Sequence, residues 1–175
     1  MDERKIGEKT IRLVRGDITD YEVDAFVHDI TEDLKLGSGF GGAIQMRGGI
    51  AIQKELDAIG TLPVGEAVAT SGGKLKAKHV IHVNGPKFHE DDVEGKLRRA
   101  TLAALKIADE KGLSTLAFPA VGAGLYQVPM DLCARVMVDT VSEYLGGATN
   151  LQEVLFVLGD TRELGPFKTK IAEGG

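Results

Sequence analysis

The chain is poor in several residue types that would each point to a function. It has one cysteine, Cys133, and no tryptophan in 175 residues. A single thiol cannot close an internal disulfide and fits a reducing compartment. Cys133 lies in an apolar helical stretch, where a small buried hydrophobe is expected rather than a nucleophile. No apolar run is long enough to cross a bilayer. The first residues, Met1-Asp2-Glu3-Arg4-Lys5, lack an apolar signal core. The expected location is therefore cytoplasmic, with no membrane partner. Positive charge is in deficit: 21 Lys and Arg against 26 Asp and Glu leave a net charge of −5. That argues against tracking a nucleic-acid backbone, which needs clustered cations. No G-x-x-x-x-G-K-[ST], G-x-S-x-G or His-x-x-x-His occurs. His79 and His82, three apart on an expected strand, point to opposite faces and make a poor metal pair. No metal or cofactor is expected.

Glycine is what the chain has in excess, with 23 residues, and the glycines cluster between periodic segments. The densest run is Gly37, Gly39, Gly41 and Gly42, around Ser38 and Phe40 and just before apolar residues at helical spacing. Glycine suits positions of positive φ or of close ligand approach. A glycine loop opening a helix presents unpaired N–H groups and the positive end of a helix dipole, which is an anion site. The alternative is a loop rich in glycine only to turn tightly. The literal G-x-G-x-x-G at 37, 39 and 42 is not immediately preceded by an apolar strand, because Glu32, Asp33 and Lys35 lie between it and the strand expected at 23–27. No strand-end acid follows at the spacing that a dinucleotide fold requires. A second glycine loop, Gly122 to Gly124, follows a short apolar strand.

Hydrophobic alternation predicts strands at 10–15, 23–27, 66–71, 78–83, 115–118 and 153–158. The strands at 66–71 and 78–83 are expected to pair as a hairpin. Leu97, Ala100, Thr101, Ala104, Leu105 and Ala108 mark an amphipathic helix with Gly112 at its C-terminal end. Further helices are expected after residue 42, over 52–59, from Pro129 and from Asp160, the last interrupted at Gly165-Pro166. Residues 1–8 are charged and expected to be loose. Strands alternating with helices imply one α/β domain over 1–175, with a mixed, mainly parallel sheet between helical layers. In such folds ligands bind beyond the C-terminal ends of strands. Both glycine loops follow strands, so they are expected to converge, and two converging loops suit a diphosphate. Asp17, just after a strand, can cap the following turn or bond a ligand amine. Tyr126 can pack against a ligand or its own loop. Lys87, in a charged stretch, is by default a solvated lysine.

The ordered set Gly16-Asp-Ile-Thr19, Val23-Asp-Ala25, the glycine loop, Pro63-Val-Gly-Glu-Ala67, Gly72-Gly73, Val80-Ile-His82, Gly85-Pro86 and Phe118-Pro-Ala-Val-Gly-Ala-Gly-Leu-Tyr126 resembles the macro domain family. The resemblance runs from about residue 10 to 160. It implies a three-layer α/β/α fold around a six-stranded sheet and a cleft for ADP-ribose. By that carry-over Asp17 bonds the adenine amine and Ile18 lies beside it. Thr31, Gly37, Ser38, Gly39, Phe40 and Gly41 on one side, and Val121, Gly122, Ala123, Gly124, Leu125 and Tyr126 on the other, wrap the diphosphate and distal ribose.

Departures from the family pattern bear on catalysis. Hydrolytic members often carry Asn-Ala-Ala-Asn after the Val-Asp-Ala strand; here His28-Asp-Ile-Thr31 stands there and the amide is gone. The stretch from His28 to Gly39 is similar to the branch containing the terminal ADP-ribose protein glycohydrolase, in which a lysine attacks the distal ribose. Lys87 falls near that position, but Tyr126 occupies the place of its partner acid. Gly159 stands where many members stack an aromatic on adenine, leaving Phe167 as a substitute. The expectation is a protein that binds ADP-ribose, ADP-ribosylated protein or an ADP-ribose ester. The alternatives are a hydrolase acting on ADP-ribosylated protein or ADP-ribose 1''-phosphate, and a macro-fold protein that has lost the ligand and binds another nucleotide or a protein.

Overall fold

The computed structural model describes residues 2–174. Among these residues seven strands form one sheet in the order β1-β2-β7-β6-β3-β5-β4. They are β1 (Glu3–Ile6), β2 (Lys9–Arg15), β3 (Ala25–Asp29), β4 (Ala67–Ser71), β5 (His79–Val83), β6 (Thr115–Phe118) and β7 (Glu153–Leu158). The five inner strands are mutually parallel, and only the edges β1 and β4 run antiparallel to their neighbours. The expected hairpin is the β4–β5 pair. Five α-helices follow: α1 (Gly39–Gly48), α2 (Ala51–Ile59), α3 (Val93–Glu110), α4 (Met130–Leu145) and α5 (Thr161–Glu173).

The inner strands are apolar on both faces because helices cover both. Strand parity divides them into two cores. Ala25, Val27, Ile81, Val83, Leu116, Phe118, Val154 and Phe156 join the core under α3, α4 and α5. Phe26, Val80, Ala117, Leu155 and Val157 face the other way, toward α1 and α2. The layers are therefore α/β/α, as expected. Helix α3 ends with Gly112 at φ +67°. Gly112 N–H donates to Asp109 O and Leu113 N–H to Ala108 O, the paired bonds of a Schellman stop.

Three expectations need correction. The sheet has seven strands, not six, because Glu3–Ile6, within the segment expected to be loose, forms β1, paired with β2 from Glu3↔Arg12 to Ile6↔Lys9. Its charges have a structural use. Arg4 is buried and its guanidinium donates to Ile171 O, Lys170 O and Ser142 Oγ, placing a cation on the last carbonyls of α5. Second, α5 continues through Pro166. Phe167 and Ile171, both fully buried, hold it against the sheet, and that burial offsets the ~3 kcal/mol that an interior proline costs. Third, β3 begins and ends two residues later than its apolar run, so His28 and Asp29 are strand residues in register with His82 and Val83.

Candidate functional site

The C-terminal ends of β2, β3, β6 and β7 open on one side of the sheet, and a two-lobed cleft lies across them. The larger lobe, about 670 Å³, is lined by Arg15, Gly16, Asp17 and Ile18 after β2, by Val157, Leu158 and Gly159 at the end of β7, and by Glu163 on α5. The smaller lobe, about 330 Å³, lies between the loops that follow β3 and β6. Phe40, Pro119, Ala120 and Ala123 border both lobes. These volumes are in the range of small-molecule sites.

The first glycine loop is built as a donor surface. Ser38 occupies the N-cap position of α1 in extended conformation, and its hydroxyl does not cap the helix. The first N–H groups of α1, from Gly39 to Gly41, have no partner within the helix and stand at the positive end of its dipole. Gly37 and Gly39 have φ of +63° and +60°, a conformation that strains other residues by about 1–2 kcal/mol. Gly41 is glycine for another reason: a Cβ there would run into the Leu36 carbonyl.

The second loop is tied to the sheet from beneath. Val121 and Val128 are buried, Val128 N–H donates to Gly122 O, and Gly124 to Tyr126 forms a single 3-10 turn. Asp29, at the end of β3, accepts from Gly122 N–H at 3.0 Å with one carboxylate oxygen and from Gly85 N–H at 3.1 Å with the other. One carboxylate thus joins the second glycine loop to the β5 loop. Burial pushes its pKa up to about 6, against the two N–H bonds and the Lys87 charge, which lower it.

This group gives stability a pH dependence of defined sign. A carboxyl whose folded pKa exceeds its unfolded value of 3.8 contributes stability that is fully present below that value and is lost as pH rises through about 6. Wild type should therefore lose unfolding free energy relative to Asp29→Asn across that window, by up to about 1.4 kcal/mol per pH unit. Urea unfolding of both proteins at stepped pH would measure this. A difference that stays constant with pH would show that Asp29 keeps its ordinary pKa.

Each residue singled out in the sequence can now be placed. Asp17 and Ile18 line the larger lobe; Thr31, Ser38, Gly39, Phe40, Gly41, Gly122, Ala123, Leu125 and Tyr126 line the smaller. Gly37, Val121 and Gly124 line neither lobe and act on the shape of the loops. Asp17 also caps the turn after β2: its Oδ1 accepts from Thr19 N–H and hydroxyl, and its Oδ2 pairs with Arg47 on α1 at 3.0 Å. The Thr19 hydroxyl and then Arg47 hold its carboxyl below the usual range. The Thr31 hydroxyl donates to Asp33. Lys87 is not a lining residue; its ammonium sits 4.9 Å from the centroid of the Tyr126 ring. Phe167 cannot stack on a ligand, because it is fully buried against Phe156, with ring centroids 5.0 Å apart.

Local sequence patterns did not single out Asp29, Lys35, Arg15, Glu163 or the aliphatic wall of Val157 and Leu158 as site residues. An acid closing an inner strand directly before a glycine loop was the available signal for Asp29. Among the described residues, no three His, Cys, Asp or Glu side chains group as a metal site, and no helix is long and apolar enough to cross a membrane. Taken together, the cleft offers a lobe with an aliphatic wall edged by Asp17 and Glu163, then the first N–H groups of α1 facing the turn Gly124–Tyr126 of the second loop. That shape suits an elongated ligand with a planar end and an anionic middle.

Comparison with known proteins gives a consistent result. Residues 27–137 match the family model described as Macro domain. A macro domain-containing protein of Caldanaerobacter subterraneus is 41% identical over 162 residues, covering 89% of this chain and 92% of its own. Among solved structures, the Oceanobacillus iheyensis macrodomain with ADP superposes with a TM-score of 0.93 at 27% identity, covering 98% of this chain and 94% of its own. The Trypanosoma brucei macrodomain in complex with ADP-ribose superposes with a TM-score of 0.85 at 26% identity, covering 91% and 68%.

Proposed function

The chain belongs to the macro domain family, and from that premise we propose that it binds ADP-ribose, free or attached to a protein, in the two-lobed cleft. One observation carries the reading: the two glycine loops, far apart in sequence, line the same smaller lobe. Adenine takes the larger lobe against Ile18, Val157 and Leu158, with its amine toward Asp17. The diphosphate lies on the first N–H groups of α1 and on the N–H groups of Leu125 and Tyr126 in the second loop, since those of Gly122 and Ala123 are held by Asp29 and Ala120 O. The distal ribose fills the space between Thr31, Ser38 and Tyr126. Gly159 supplies no stacking ring, so the aliphatic wall and Phe40, which borders both lobes, hold the base.

Ligand-dependent thermal stabilisation tests this reading. A ligand that binds only the folded state stabilises it by about 2.7 kcal/mol at one hundred times its Kd. ADP-ribose should raise Tm by several degrees. Asp17→Ala should reduce the shift for ADP-ribose but leave ribose 5-phosphate as weak as in wild type. An unchanged Tm at millimolar ADP-ribose would overturn the proposal.

A second reading, hydrolysis of an ADP-ribosylated protein, has one observation in its favour. Lys87 lies close enough to Asp29 to lower its pKa and sits over Tyr126 at the rim of the smaller lobe. Asp29 would then be the acid beside the lysine. Release of free ADP-ribose from a modified protein, lost in Lys87→Ala, would support it.

A further inference from the structure

Two buried histidines face one another across the β3–β5 pair. His28 and His82 are in register. Their Nδ1 atoms are 3.0 Å apart, and their rings are nearly perpendicular. Such a contact needs one proton between the two nitrogens, so one ring donates and the other accepts. The next bond decides which. Thr70, on β4, donates its only hydroxyl proton to Ser71 O at 3.0 Å. Its oxygen is also 3.0 Å from His82 Nε2, where the tautomer sets the roles; with the hydroxyl proton given to Ser71 O, the oxygen accepts there. In that arrangement His82 carries its proton on Nε2 and presents a lone pair at Nδ1. His28 donates from Nδ1, and its own Nε2 is left as a bare acceptor.

That nitrogen has no protein partner among the described residues. His28 is only 3% exposed and lines the smaller lobe. Among the described residues, Asn84 Oδ1 is the fully sealed side-chain polar atom without a partner. His28 Nε2 is therefore not sealed, and its small exposure falls on the cavity. Phe40 stands edge-on to the ring at 4.9 Å and fixes its tilt. The rings are neutral across the physiological range, because burial lowers His28 to about 3 and His82 well below its ordinary value. So weak a base is poorly matched to proton abstraction near neutral pH. What it offers is a fixed hydrogen-bond acceptor.

We propose that His28 is a specificity residue of the cleft: its Nε2, held as an acceptor by the His82–Thr70–Ser71 chain, takes a hydrogen bond from a ligand hydroxyl in the smaller lobe and rejects an anionic oxygen there. A phosphate at that place would set lone pair against lone pair in a site that burial keeps from relaxing. The proposal rests on the ADP-ribose reading. It narrows the ligand to one whose distal sugar ends in free hydroxyls, and so against ADP-ribose 1''-phosphate.

Two measurements test it. Nitrogen-15 NMR of the ligand-free protein should show His28 with a pyridine-like Nε2 and protonated Nδ1, and His82 the reverse. Thr70→Val removes the acceptor for His82 Nε2–H without changing side-chain volume much, and should invert both rings. In titrations, wild type should prefer ADP-ribose to ADP-ribose 1''-phosphate by about tenfold or more, the worth of one buried hydrogen-bond mismatch. Thr70→Val, which turns His28 Nε2 into a donor, should narrow that preference to within about threefold. A protonated Nε2 on His28 in wild type overturns the relay. A preference unchanged in Thr70→Val overturns the selection. If wild type binds neither ligand, the ADP-ribose reading falls and the selection with it, while the nitrogen-15 spectra still support or overturn the relay on their own.

Discussion

Gly41→Ala should lower affinity for ADP-ribose at least a hundredfold while leaving the sheet folded. The added Cβ would lie 2.6 Å from the Leu36 carbonyl carbon and closer still to its oxygen. Neither neighbour can yield cheaply. Leu36 is buried, and its N–H donates to Gln53 Oε1 on α2 at 2.9 Å. The first turn of α1 must move instead, carrying the N–H groups of Gly39 and Phe40 out of the smaller lobe. Losing charge-assisted bonds of this type costs about 1.5–3 kcal/mol each, so two of them account for the expected loss. Gly39→Ala is the matched control. Its φ is +60° but its Cβ would meet nothing within 4 Å, so it bears only the left-handed strain of about 1–2 kcal/mol. Titration calorimetry of both variants, with circular dichroism to confirm folding, makes the comparison. Equal effects would mean that loop strain, not collision with Leu36, controls the site.

Phe167→Ala should cost about 3–5 kcal/mol of stability, the range for deleting a buried phenyl ring, and lower Tm by on the order of 10 °C. Phe167 is fully buried and packs on Phe156, which in turn stacks with Phe118 at 5.8 Å. It is also the anchor that keeps α5 helical past Pro166. Without it, the burial that offsets the proline is reduced to Ile171, and the C-terminal half of α5 should exchange its amide protons faster than the rest of the molecule. Glu163, on the first turn of α5, would lose its place at the edge of the larger lobe, so binding should weaken with stability. A Tm within about 2–3 °C of wild type would contradict this role for the ring.

The sequence disclosed those parts of the molecule whose causes are local. The alternation in β2, the apolar runs of β6 and β7 and the 3.6-residue period of α3 each depend on one face meeting one core, and each appears where its pattern places it. Gly112 ends α3 because only the chain around it is involved. The convergence of the two glycine loops followed from a topological rule, since both succeed inner parallel strands.

What stayed hidden depends on partners distant in sequence. β1 looks like a charged tail until Arg4 is seen capping a helix, on a carbonyl 167 residues away. Pro166 signals a break, and only the fit of Phe167 against Phe156 of β7 explains why the helix continues. His28 and Asp29 read as the polar end of a strand. The β3–β5 register brings His82 to one of them, and the loops after β5 and β6 bring Gly85 and Gly122 to the other. The residues that form the floor of the cleft are therefore the ones that local patterns disclosed least.

Whether the two-lobed cleft holds ADP-ribose is tested most directly by calorimetric titration of the purified protein with that ligand. Saturable heat with one site per chain is expected, together with a weaker interaction with ADP, which lacks the distal ribose proposed for the space between Thr31, Ser38 and Tyr126. No heat at millimolar ADP-ribose, or equal affinity for ADP and ADP-ribose, would contradict it.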